Sequence, residues 1–156
     1  RIINESMHLY VVKRLLDQII TLNKDYKKIK VLVCGLAFKG MPQTGDVRNS
    51  SSVEIYHILS KKIKNIYGHD PVAKIEDIKN ENVKPISFEE GINNSDVVLF
   101  LNNHIFYQRL DVYTMCRKMS KYPIIFDGWK LFRSKEILES CPSVYMDLSQ
   151  TLNSIS

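Results

Sequence analysis

No two cysteines in this chain have the spacing of a zinc site or a redox motif, and their total of three (Cys34, Cys116 and Cys141) is odd. That pattern excludes a disulfide-stapled scaffold and offers no metal centre, so the three read as reduced, buried thiols of a cytoplasmic protein. His8, His57 and His69 add no metal-ligand spacing. No apolar run is long enough to span a bilayer and nothing resembles a signal peptide, so a soluble chain without a membrane partner is expected. Internal repeats and low-complexity tracts are missing too. The chain opens at Arg1, partway into a helical pattern, as a domain taken from a longer protein would.

What is present suits one ordinary domain: 156 residues with 44% hydrophobic content can bury a single core. The net charge of +5 and a pI near 9.1 permit nucleic acid, an acidic membrane or a phosphorylated ligand as partner. The basic residues are scattered in pairs such as Lys27-Lys28, Lys61-Lys62 and Arg117-Lys118, which reads as solvated helix faces. Nucleic acid is therefore not expected.

Apolar residues recur at helical spacing from Ile3 to Leu22, predicting an amphipathic helix over 1–22 and a polar linker over 23–30. Strands are expected at Val31 to Cys34, near Ile66-Tyr67, within Val83 to Phe88, and at Val97 to Leu101, Ile124 to Phe126 and Val144 to Met146. Between them, Ser51 with Glu54 and Ser87 with Glu90 have capping-box spacing, so one helix should begin near Ser50 or Ser51 and a brief one after Ser87, and helices are also expected over 111–120 and 134–140. The stretch 74–82 is polar and undetermined, and 149–156 reads as a frayed tail. Strands alternating with helices predict an α/β fold: a three-layer αβα, Rossmann-like domain over 31–148, with a mainly parallel sheet preceded by a long amphipathic helix.

The first strand carries the chemistry. Val31 to Cys34 is followed by Gly35-Leu36-Ala37-Phe38-Lys39-Gly40, then by Thr44-Gly45-Asp46-Val47-Arg48-Asn49-Ser50 and a helix start. In an open α/β sheet ligands sit beyond the carboxyl ends of the strands, where a helix start adds backbone N–H groups and partial positive charge. Lys39 and Arg48 are thus well placed to hold phosphate oxygens.

Gly-Leu-Ala-Phe-Lys with Thr-x-Asp-x-Arg-x-Ser resembles the opening of the C-terminal UDP-binding domain of the UDP-glucose/GDP-mannose dehydrogenase family. Arg1 to Met7 resembles the end of that family's central helix. His69-Asp70-Pro71, Asn103-His104 with Phe106, and Phe126-Asp127-Gly128 follow in the family's order. The loop from Gly40 to Gly45, together with Asn103-His104, looks closest to the UDP-N-acetylhexosamine dehydrogenases.

The resemblance implies that Phe38 and Lys39 contact UDP-sugar and that Arg48 reaches NAD held by another domain. The other reading of Arg48 is an ion pair with Asp46 that orders the loop. His104 is a UDP-sugar candidate, as general base or ribose ligand, or a loop residue supporting the site by packing or a backbone contact. Relatives often carry an arginine where this chain has Trp129; either Lys130 supplies the charge and Trp129 stacks on a base, or Trp129 packs at a sheet edge. Asp70-Pro71 reads mainly as a turn, because the first turn lacks the Gly-x-Gly-x-x-Gly of a dinucleotide site.

The resemblance further implies an NAD-dependent UDP-sugar 6-dehydrogenase that takes a C6 alcohol to a carboxylate for polysaccharide synthesis. It implies a homodimer through the helix over 1–22. The family's Gly-Gly-x-Cys nucleophile is not among the three cysteines here, so this stretch holds no catalytic residue and is expected to be inactive alone. The competing reading is a non-enzymatic α/β binding or regulatory module for an anionic partner such as nucleic acid.

Overall fold

The structure is a computed structural model that describes residues 5–37 and 44–155. In chain order the elements are α1 (Glu5–Thr21), β1 (Val31–Cys34), α2 (Ser51–Ser60), β2 (Ile66–His69), α3 (Ile75–Asn80), α4 (Phe88–Ile92) and β3 (Val97–Phe100). They continue with α5 (Ile105–Gln108), α6 (Val112–Lys118), β4 (Ile124–Asp127), α7 (Ser134–Ser140), β5 (Val144–Met146) and β6 (Thr151–Asn153).

One sheet runs in the order β2-β1-β3-β4-β5-β6. All pairings are parallel up to β5, with Val31 beside both Ile66 and Val97, while β6 returns antiparallel. Strand side chains alternate between faces, so each central strand feeds two cores. Val31, Val33, Val97, Leu99, Ile124 and Phe126 pack with Leu15, Ile19, Ile55 and Leu59 of α1 and α2. Leu32, Val98, Phe100, Ile125 and Tyr145 pack with Ile92, Tyr107, Met115 and Ile137 of α4 to α7. This is the expected three-layer arrangement. Among the described residues no helix is long and apolar enough to cross a membrane.

Local chemistry corrects several boundaries. α2 begins at Ser51, where its start is expected, but its cap is Ser50: that hydroxyl accepts from the N–H groups of Ser52 (3.0 Å) and Val53 (3.4 Å), so Glu54 falls one position beyond a capping box. At α4 the box register holds, with the Ser87 hydroxyl accepting from the Glu90 N–H and donating to its carboxylate. The strand expected within Val83 to Phe88 is a single bridge between Gly68 and Pro85, because Pro85 has no N–H to extend a ladder. The polar stretch 74–82 forms α3, which buries only Ile78.

The tail is a further correction. Thr151–Asn153 forms β6 instead of fraying, because Asp147 accepts from the N–H groups of Ser149 and Gln150 to turn the chain back. Arg14 on α1 then pins the edge, donating to the Asp147 carbonyl and, at 3.0 Å, to Thr151 Oγ1. Cys34 and Cys116 are buried as expected, whereas Cys141 is only partly so.

Candidate functional site

The chain leaves β1 toward β2 on one side and β3 pairs on the other, which makes the carboxyl ends of β1 and β3 the switch point of the sheet. Gly35 ends β1 at φ 89°, a left-handed value suited to glycine, and packs directly on Asn102 of the loop after β3. Its N–H donates to the His69 carbonyl at 2.9 Å, so the ends of β1, β2 and β3 are drawn together.

Asp70 fixes the loop leaving β1. Its buried carboxylate accepts from the Ala37 N–H (2.9 Å) with one oxygen and from Val72 (3.0 Å) and Ala73 (2.9 Å) with the other. This is the expected turn, and it also clamps the chain just before Phe38 and Lys39. Those two residues, the principal UDP-sugar candidates, lie outside the described residues.

His104 is buried at the start of α5. Its N–H donates to Asn102 Oδ1 (3.1 Å), and its Nδ1 accepts from the Phe106 N–H (2.9 Å), so a neutral ring carries its proton on Nε2. The helix it caps was not expected from the sequence. It brings Tyr107 beneath the switch point, where His69 Nδ1 and the Tyr107 hydroxyl meet at 2.8 Å and that hydroxyl lies 3.2 Å from the His69 carbonyl. Both contacts are satisfied when Nδ1–H donates to the hydroxyl and the hydroxyl donates to the carbonyl. Burial pushes His69 down to about 4, aided by His104 and opposed by Asp70, so its ring is neutral near pH 7.

Trp129 and Lys130 follow β4. The indole N–H donates to the Leu101 carbonyl at 3.0 Å, which places Trp129 across the ends of β3 and β4, inside the sheet order and not at its edge. Asp127, fully buried, organises this turn by accepting from the N–H groups of Trp129, Leu131 and Phe132 and from the Tyr145 hydroxyl. Lys130 is exposed at φ 52°; against burial, hydrogen bonds from Ser149 and Gln150 hold the Asp147 carboxyl below its ordinary value, and the Lys130 charge adds to them.

Arg48 sits apart from these groups. Its Nε and Nη2 each donate to one Asp46 oxygen at 3.0 Å, the forked pair that the loop-ordering reading anticipates. That hydrogen-bonded guanidinium draws Asp46 down to about 2. The pair is exposed and borders a cleft of about 580 Å³, which Val72, Lys74, Asp77 and Glu81 also line. His104, Trp129 and Lys130 lie elsewhere, beyond β3 and β4. The structure thus gathers His104 and Trp129 around neighbouring strand ends and leaves Arg48 near α3. Asn102 and Asp127, which had no assigned role, hold these loops; their only sequence signal is a polar residue closing an apolar strand run.

Among the described residues no group of three or more His, Cys, Asp or Glu side chains gathers as metal ligands. Residues 32–134, from β1 to the start of α7, match the UDP-binding domain of the UDP-glucose/GDP-mannose dehydrogenase family. The UDP-glucose 6-dehydrogenase TuaD of Bacillus subtilis is 26% identical over 137 residues, covering 86% of this chain and 28% of that protein. The fold is similar to that of UDP-D-ManNAc dehydrogenase from Pyrococcus horikoshii, with a TM-score of 0.76, 20% identity and coverage of 93% of this chain and 31% of the other. UDP-N-acetyl-mannosamine dehydrogenase Cap5O from Staphylococcus aureus gives a TM-score of 0.70 at 24% identity, covering 94% and 32%. The chain spans under a third of the length of each of these relatives. With the matched segment enclosing every strand end that forms the switch point, the chain belongs to the UDP-glucose/GDP-mannose dehydrogenase family and carries its UDP-binding domain.

Proposed function

We propose that this chain binds the UDP-sugar in an NAD-dependent UDP-sugar 6-dehydrogenase, which oxidises the sugar C6 alcohol to a carboxylate for polysaccharide synthesis in the cytoplasm. Phe38, Lys39, His104, Trp129 and Lys130 serve the nucleotide sugar, and Arg48 serves NAD bound by another part of the enzyme. Residues 31–148, extended by the edge strand β6 (Thr151–Asn153), form the binding domain, and α1 contributes to a homodimer. The exposed Leu9, Tyr10 and Ile20 on α1 favour such a contact.

One observation carries the binding role. Gly35 and Asn102 close the switch point while Asp70 clamps Ala37, which fixes the chain up to Ala37, two residues before Lys39, beside the loop bearing His104. On this reading the Lys39 ammonium meets the diphosphate of the nucleotide in a charge-assisted contact.

Titration calorimetry with UDP, UDP-N-acetylglucosamine and an oligonucleotide tests the reading. Saturable UDP binding that Lys39→Ala weakens by roughly tenfold or more is expected, from the usual strength of hydrogen bonds to charged groups. Oligonucleotide binding that UDP does not displace, with no heat from UDP itself, overturns it in favour of an anionic-partner module.

A further inference from the structure

Away from the switch point, two of the three cysteines meet. Cys116 lies on α6 and Cys141 closes α7, close enough for the two thiols to influence each other. Their helices pack against each other on one face of the sheet. Both residues line a cleft of about 360 Å³, shared with Ser120, Lys121, Pro123 and Pro142. Cys116 is only 3% exposed, whereas Cys141 is reached from solvent. The Cys141 backbone is held at both ends, its N–H donating to the Ile137 carbonyl (3.4 Å) and its carbonyl accepting from the Ser143 hydroxyl (3.0 Å). A reachable thiol at a fixed position, with a second, buried thiol lining the same cleft, is the arrangement of an attacking cysteine with its resolving partner.

We propose that Cys116 and Cys141 form a peroxide-oxidisable dithiol, with Cys141 as the attacking thiol and Cys116 as the resolving one. The neighbouring Cys116 thiol lowers Cys141 below its ordinary value against the opposing effect of burial, which favours the thiolate. The Cys141 thiol, followed by burial, raises Cys116. Cys34 is an internal contrast, since full burial in β1 raises its thiol well above the ordinary value and keeps peroxide away.

The chemistry balances with hydrogen peroxide as the two-electron oxidant. The Cys141 thiolate forms an S–O bond as the peroxide O–O bond breaks, and the departing hydroxide takes a proton to become water. The Cys116 sulfur then attacks Cys141, forming S–S and breaking S–O, and the second hydroxide leaves as water with the Cys116 proton. Two thiols are oxidised to one disulfide and one peroxide is reduced to two waters. The product ties α6 to the end of α7, and thiol reductants reverse it.

Exposure of the folded protein to hydrogen peroxide, followed by digestion without reductant and mass spectrometry, tests the assignment. A linked pair of peptides containing Cys116 and Cys141, lighter by two hydrogens, is expected while Cys34 stays a thiol. Cys116→Ser should halt the reaction at a Cys141 sulfenic acid that dimedone captures, and Cys141→Ser should leave Cys116 reduced. In the unmodified protein Cys141 should also alkylate roughly tenfold or more faster than Cys34. Comparable reaction of Cys34 and Cys141, or oxidation of Cys141 to higher acids without any link to Cys116, overturns the proposal. These readings need no variant, so they decide the matter even where a substitution disturbs folding.

Discussion

Gly35 lies so close to Asn102 that a Cβ placed on it would fall 2.7 Å from both the side-chain Cγ and the backbone N of that residue. The backbone of Asn102 cannot swing aside, because Leu101 beside it donates to the Cys34 carbonyl at 2.9 Å. Gly35→Ala therefore combines a positive-φ penalty with a clash against main chain. A loss of about 2–4 kcal/mol in folding stability is expected from urea denaturation. UDP affinity should fall further than that of a surface Gly→Ala control, because the clash parts the two loops. A loss below about 1 kcal/mol would show that the two loops yield.

Asp127 supports a second prediction. Its buried carboxylate serves three backbone donors and the Tyr145 hydroxyl, which lies 3.0 Å away. Asp127→Ala strands those N–H groups and should cost about 3–5 kcal/mol, while Tyr145→Phe should cost about 1 kcal/mol. In the Asp127→Ala background the tyrosine change should cost much less, since the acceptor of its hydroxyl is already gone. Strictly additive losses in a double-mutant cycle would rule out the coupling. Burial, then the Asp127 charge, raises the Tyr145 hydroxyl above its ordinary value, so the ring should resist ionisation at pH 10 until the protein unfolds.

The layers were legible because burial on both faces writes long apolar runs, as at Val97 to Phe100, and the helix expected over 134–140 is found as α7 (Ser134–Ser140). What escaped was decided by single polar atoms. The Ser50 hydroxyl shifts a cap by one residue, Pro85 reduces a strand to a bridge, and Arg14 holds β6 across 137 positions of sequence. For the site, Asp70 read as a turn and is one, but its bond to Ala37 spans two strands and has no local signature. Trp129 read equally well as stacking or edge packing, because its Leu101 acceptor depends on strand order.

His69 makes folding sensitive to mild acid. The folded-state value near 4 lies below the ordinary 6.5, so between these limits the unfolded chain binds more protons than the folded one. Stability is therefore complete above about pH 6.5 and falls as pH drops toward 4, by an amount on the order of 2–3 kcal/mol. His69→Asn keeps an N–H donor for the Tyr107 hydroxyl but cannot titrate, so it should flatten the slope across this window. Urea midpoints at half-unit pH steps give the comparison. An equal slope in both proteins would assign the effect to other groups.

The fork between Arg48 and Asp46 predicts a local titration and not a global one. Asp46 should show a carboxyl midpoint near 2 by carbon-detected NMR, because two guanidinium donors and the Arg48 N–H stabilise its ionised form. Arg48→Ala should return it toward 3.8, whereas Arg48→Lys, with a point charge and no fork, should give an intermediate value. Because both side chains are solvent-exposed, the unfolding midpoint at pH 7 should barely move in either variant. An Asp46 midpoint near 3.8 in the unaltered protein would mean that the fork does not persist in solution. Arg48 would then reach any phosphate without first leaving its carboxylate partner.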